Sequence, residues 1–189
     1  MREVVLLKTS PCASLRGCIA VAALLGACTP GLNWREARIA GTELAVMLPC
    51  KPTQHQRTVP LAGLMVTLHM TACDADGASF AIAHALIPDP SVAPQILARW
   101  RATTLENLAA TQVSAAAESI SSRSSAATTS KTLPGSLWAN AQGKRSNQVA
   151  VQLQGVWFAR GPRVYYVAVY APIITPDMTD TYFSGLKLP

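Results

Sequence analysis

Clustered charge, catalytic signatures and membrane-spanning runs are all scarce in this 189-residue chain. Charged residues make up 14% of it, and its lysines and arginines are scattered, with no basic run of the kind that marks a nucleic-acid footprint. No nucleic-acid partner is expected. There is no Gly-x-Ser-x-Gly elbow, and Thr128-x-x-Lys131 places a threonine where a Ser-x-x-Lys nucleophile would stand. Phosphate-loop and Rossmann glycine patterns are missing as well. Histidine is limited to His55, His69 and His84. These absences argue against an enzyme and against a cofactor. The apolar stretch Cys18–Ala27 (CIAVAALLGA) is also short. As a helix it would measure about 15 Å, half of the roughly 30 Å of a bilayer core.

What is present begins with that stretch. Arg2, Lys8 and Arg16 against Glu3 make the preceding segment basic. A basic leader, a short apolar core and small residues before the cut are the layout of a secretory signal. Leu25-Gly26-Ala27-Cys28 then resembles the bacterial lipobox. The resemblance implies cleavage before Cys28, a diacylglycerol on its thiol and an acyl chain such as palmitate on the new N-terminus. Residues 1–27 would be the signal peptide and residues 28–40 a tether. The blander alternatives are an ordinary signal peptide with an incidental cysteine, or a short buried helix. One acyl chain holds a protein only marginally and two or more hold it stably, so a triacylated Cys28 would anchor it. Thr29 stands where enterobacterial lipoproteins kept at the inner membrane carry Asp. That points to the outer membrane, on its periplasmic side.

Without the leader, thirteen basic residues face nine acidic ones, a net +4 instead of the +6 of the whole chain. A general attraction to anionic headgroups follows, and nothing more specific. Cys12 and Cys18 leave with the leader and Cys28 takes the lipid, so Cys50 and Cys73 remain. In an oxidising compartment they read as one disulfide, worth about 3 kcal/mol on the chain-entropy model. A redox or metal pair is the alternative, and the spacing matches neither CxxC nor a zinc pattern.

The rest reads as one domain, residues 41–189, long enough for a real core. Gly41–Leu48 looks like a first strand stopped by Pro49 and Pro52, whose rings bias the chain towards an extended turn. Leu64–Cys73 and Ser79–Ile87 look like a hairpin around Asp74-Ala75-Asp76-Gly77. If Asp74 faces Ala78, Leu68 opposes His84 and Met70 opposes Ile82. Val66, Leu68, Met70, Phe80, Ile82 and Leu86 then share a face with His84. Ser91 is the expected cap of a helix over Gln95–Ala110, with Pro94 in its first turn and Ile96, Leu97, Trp100, Leu105 and Leu108 as its apolar stripe. Ala115–Lys131 is Ser/Ala/Thr-rich and reads as a mobile connection or a weak strand. Leu137–Ala141, Gln148–Arg160 and Val164–Ala171 read as strands, the last two turning at Gly161-Pro162, and Asp177–Leu186 as a closing helix. Adjacent hairpins with intervening helices imply an antiparallel β-sheet with packed helices, hence α+β.

This order, with ELAVMLPCKP, LHMTACDADGASFAIAHAL and the terminal DTYFSGLKL, resembles the small bacterial lipoproteins and secreted proteins of the PsbP/Mog1-like fold. The resemblance spans residues 41–189 and implies an α/β/α sandwich. Its pattern includes no catalytic residue, and members of the fold mostly act as binding or assembly factors.

Candidate site residues are few. In the register above His69 and His84 point to opposite faces, so no metal site is expected, and His84 reads as a core-edge or rim histidine with a hydrogen-bond partner. His55 lies beside the proline turn, in solvent. Asp74 and Asp76 serve the hairpin turn. Aromatics concentrate in one hairpin, where Tyr165, Val167 and Val169 point one way and Tyr166, Ala168 and Tyr170 the other. Either both faces are covered, or one is open. An open one would make Trp157, Tyr165 and Tyr166, with Arg160 and Arg163 at the turn, the candidate partner surface. The expected function is a membrane-anchored, periplasm-facing, non-enzymatic binding or assembly module of the cell envelope, with an envelope protein or a small ligand as partner. The alternative is a small-molecule or lipid carrier with a pocket between the sheet and the 95–110 helix.

Overall fold

The computed structural model describes residues 31–114, 133 and 135–188. The leader, LGAC with Cys28, and the Ala115–Lys131 stretch lie outside the described residues. Strands β1 (Arg35–Arg38) and β2 (Ala45–Leu48) form an antiparallel ribbon. They are followed by β3 (Thr53–Leu61), β4 (Leu64–Ala75), β5 (Ala78–Leu86), α1 (Ala93–Asn107), β6 (Gln112–Ser114), β7 (Leu137–Lys144), β8 (Ala150–Arg160), β9 (Arg163–Ala171) and α2 (Pro176–Ser184). Strands β3 to β9 make one sheet in the order β3-β4-β5-β9-β8-β7-β6, with every neighbouring pair antiparallel. The fold is α+β, mainly β.

Alternation in β9 separates two cores. Tyr166 and Ala168 face one side, where Ile96, Leu97 and Trp100 of α1 pack on Val66, Leu68, Leu153 and Trp157. Tyr165, Val167 and Val169 face the other, where Tyr182 and Phe183 of α2 and Val46 and Leu48 of β2 pack on Phe80, Ile82 and Phe158. The two helices therefore cover opposite faces. Aromatic stacking organises both sides, with Trp157 on Tyr166 at 4.5 Å between ring centroids and Phe158 on Tyr165 at 4.9 Å. The Tyr182 hydroxyl donates to the Ala81 carbonyl at 3.0 Å, so the helix is held to β5 by a polar contact as well. The Cys50–Cys73 disulfide is formed, with 5.8 Å between Cα atoms. It ties the loop after β2 to β4.

Three local expectations are corrected. The β4–β5 hairpin pairs Ala75 with Ala78, Cys73 with Phe80 and His69 with His84. The turn is Asp76-Gly77, with φ of 50° and 72°. Two consecutive positive φ values are the condition for a two-residue type I′ hairpin, which matches strand twist. The expected pairing needed a loop one residue longer. Because side chains alternate, that one-residue slip exchanges faces. Val66, Leu68 and Met70 face α1, while Phe80, Ile82 and His84 face α2. Second, residues 31–40 are not a tether. Leu32, Trp34 and Ala37 pack against the second core, Ile39 is buried, and Trp34 meets Phe80 edge-on at 5.5 Å. Apolar residues at these positions find a surface already built by β5. Third, Ser91 does not cap α1: Val92 holds that N-cap without a side-chain hydrogen bond, and the turn before it is capped by Asp89. Its carboxylate accepts from the Ser91 N–H at 2.9 Å and starts a 3-10 turn, Pro90–Val92, that leads into α1.

The C-terminal end of α1 is seated on β7 by the Lys144 N–H, which donates to the Leu108 carbonyl at 2.7 Å. A Cβ at Gly143 would collide with that carbonyl oxygen. Backbone cannot rotate away as a side chain can. Gly143→Ala is therefore expected to cost about 1–3 kcal/mol through overpacking, read as a lower urea midpoint with an unchanged slope.

Candidate functional site

The face covered by α2 and the β1–β2 ribbon does not extend over the whole sheet. Its cover ends towards β3 and β4, and the residue types change there. Register aligns Gln56 of β3, His69 of β4, His84 of β5 and Tyr165 of β9 in one cross-strand row. Gln56 and His69 are exposed, while His84 and Tyr165 are buried. A shallow cleft of about 230 Å³ lies here, lined by Ala40 of the ribbon turn and by Gln54, Gln56, His69, Thr71 and His84.

His69 and His84, expected on opposite faces, are stacked. Their rings are nearly parallel, at 8°, with centroids 5.0 Å apart. The corrected register is the whole reason. Arg163 Nη1 lies 3.0 Å from His84 Nδ1. A guanidinium can only donate, so Nδ1 carries the lone pair and Nε2 the proton. The ring also donates a hydrogen bond to the Ala40 backbone, which acts to raise its pKa. Burial, then the nearby Arg163 and His69 charges, pull the His84 pKa down to about 4. At neutral pH His84 is an uncharged strut between Arg163 and the ribbon turn. It is a core-edge histidine with a partner, as its sequence position suggested.

This geometry restricts the chemistry. The Nδ1 lone pair of His84 already accepts from Arg163, so the stacked pair offers no two-nitrogen ligand set. Among the described residues no three His, Cys, Asp or Glu side chains converge. His55, paired with Met70, belongs to the opposite face and is exposed. Asp76 occupies the turn.

The candidate aromatic surface is corrected. Trp157, Tyr165 and Tyr166 are 0%, 2% and 7% exposed. They are core, because α1 covers one face of β8–β9 and α2 with the ribbon covers the other. The Tyr165 hydroxyl meets the Thr42 side chain, and burial is the main cause of its raised pKa. What remains at the surface is the hairpin tip itself. Arg160 and Arg163 are cross-strand partners there, Arg160 exposed and Arg163 half-buried against His84. On the same face Leu86 is in register with Arg163, and Met65, two strands away on β4, is in register with Pro60. These two apolar side chains are 56% and 69% exposed. The corner thus combines donors from Arg160, Arg163, His69 and Gln56 with two open apolar chains. Sequence reasoning missed Gln56 and Met65, considered His69 only as a metal ligand and gave Leu86 to the apolar face of the hairpin; the Asp-Gly pair, taken as a two-residue turn, would have aligned His69 with His84.

Between α1 and the sheet the space is filled by Trp100, Tyr166 and Trp157, with Trp100 and Tyr166 rings 5.7 Å apart. Comparison with protein-family models and with curated proteins finds no match to this chain.

The low His84 pKa has a pH consequence. Unfolded, the group titrates near 6.5; folded, near 4. Between these values the unfolded state binds more protons, so stability is full above about pH 6.5 and falls as pH drops towards 4. Arg163→Met is expected to raise the His84 pKa, because it removes a neighbouring positive charge. An NMR titration of the ring signals reads both effects; a His84 midpoint unmoved by the substitution would refute the assignment.

Proposed function

We propose that this chain is a lipoprotein anchored through Cys28 in the outer membrane, facing the periplasm, and that its domain is a non-enzymatic binding or assembly module of the cell envelope. Cysteine usage carries the reading. Cys50 and Cys73 are bonded to each other, so after the basic leader the LGAC cysteine is the one left for a lipid. The disulfide also suits an oxidising compartment. Helices on both faces of an antiparallel sheet, and a final helix running into Leu186-Lys187-Leu188, support the PsbP/Mog1-like α/β/α resemblance.

The corner built by Arg160, Arg163, His69 and Gln56 supports binding in preference to catalysis. Its groups mainly donate hydrogen bonds, its buried histidine is committed to Arg163, and Met65 and Leu86 add apolar area beside it. Such a surface suits an acidic patch on an envelope protein, with electrostatics setting register and the apolar chains supplying desolvation.

The intact mass of the protein from its native membrane tests the anchor, with Cys28→Ser beside it. The expected mass is that of residues 28–189 with acyl chains added, lower by two hydrogens for the disulfide, and without acyl chains in the variant. An unprocessed or merely cleaved chain of the unsubstituted protein would refute the lipoprotein reading.

A further inference from the structure

The opposite edge of the same sheet face carries a different pattern. Register places Gln112 of β6, Gln142 of β7 and Gln152 of β8 in one row, and Ser114, Asn140 and Gln154 in a second row alongside. In β9 these rows continue into Ala171 and Val169, which are buried in the α2-side core. Passing outward from β9, the face therefore changes from apolar side chains to five carboxamides and a hydroxyl. The six line a trough of about 630 Å³, and among the described residues none of the side chains lining it is ionisable. That volume is within the range of small-ligand clefts.

The two rows have a chemistry of their own. Gln152 Oε1 accepts from the Ile174 N–H at 2.8 Å, which fixes the amide so that its NH2 group remains to donate. Gln152 and Gln154 are half-buried, whereas Gln112, Asn140 and Gln142 are exposed. Strands about 4.8 Å apart put the three glutamines of the first row along a line of roughly 10 Å. That is longer than one sugar ring. Each carboxamide donates and accepts at once, which is what a sugar hydroxyl requires of its partner. An uncharged lining has no counter-charge for an ionic ligand, and burying an unpaired ion there would be costly.

We propose that this trough binds a neutral oligosaccharide chain laid across β6, β7 and β8, with Gln112, Gln142 and Gln152 as its hydrogen-bonding row. The proposal depends on neither the lipid anchor nor the histidine–arginine corner.

Titration of the purified protein with a neutral N-acetylglucosamine tetramer, its monosaccharide and a sulfated oligosaccharide, followed on the glutamine side-chain NMR signals, tests it. The tetramer is expected to shift Gln112, Gln142 and Gln152 at millimolar concentration or below, about tenfold more tightly than the monosaccharide. Its affinity is expected to be unchanged by salt, since no charge is neutralised. Gln142→Ala, at an exposed position, is expected to weaken it about two- to tenfold, the worth of one hydrogen bond. Gln112→Ala is a second such variant. No shift at about 10 mM tetramer, equal binding in both variants, or preferential salt-sensitive binding of the sulfated chain would each overturn the proposal.

Discussion

Burial of both faces of the central strands is the constraint from which the other features follow. Strands β8 and β9 carry large apolar side chains on successive positions, Val156-Trp157-Phe158 and Val164-Tyr165-Tyr166-Val167, so each face must be covered by something. Helix α1 supplies one cover, and α2 with the β1–β2 ribbon supplies the other. Phe158 and Trp157 are neighbours in sequence and lie in different cores, each stacked on a tyrosine of β9. Side chains of this size contribute several kcal/mol each when buried, which is far more than the exposed Lys187–Glu36 ion pair at 2.6 Å can add. The disulfide, the Tyr182 hydroxyl and the return of Lys187 to pair with Ala45 then hold the second cover in place.

Where the covers end, the residue types change, and both candidate sites lie at those limits. At the β3–β4 edge, donors and two open apolar chains surround a neutral histidine. At the β6 edge, carboxamides replace the core residues of the same face. A sheet wider than its covers leaves polar margins by necessity. What makes these margins specific is cross-strand alignment, which repeats one functional group from strand to strand. The two margins also differ in charge. The corner carries Arg160 and Arg163, whereas the trough is lined by uncharged groups, so they suit different kinds of ligand.

The corner shows how a small backbone choice decides chemistry. Asp76-Gly77 makes a two-residue turn, and with it His69 and His84 are neighbours. A three-residue turn would have separated them by a whole sheet thickness. At this corner the His84 ring is desolvated and takes a hydrogen bond from Arg163, and its pKa falls to about 4. Its state is therefore a property of the hairpin, the hairpin tip of β8–β9 and the ribbon turn together.

Much of the architecture was legible in the residues. Strong period-two alternation over 150–171, the helix stripe from Ile96 to Leu108, and the proline-bounded ends announced an antiparallel sheet with helices packed on it. The cysteine pair was legible too, because counting leaves those two. The lead-in around Trp34 and Ile39 was not, since a short apolar segment acquires a role only when a surface exists to receive it. Nor was the fate of the aromatic hairpin, where alternation predicts two faces and is silent on what covers each. Local period and composition were enough for the type of the longer elements, the alternation of side chains within a strand and the disulfide partners. Tertiary structure alone decided register between strands, which face each helix covers, and hence which polar residues stand together at the margins, because those depend on contacts between segments far apart in the chain.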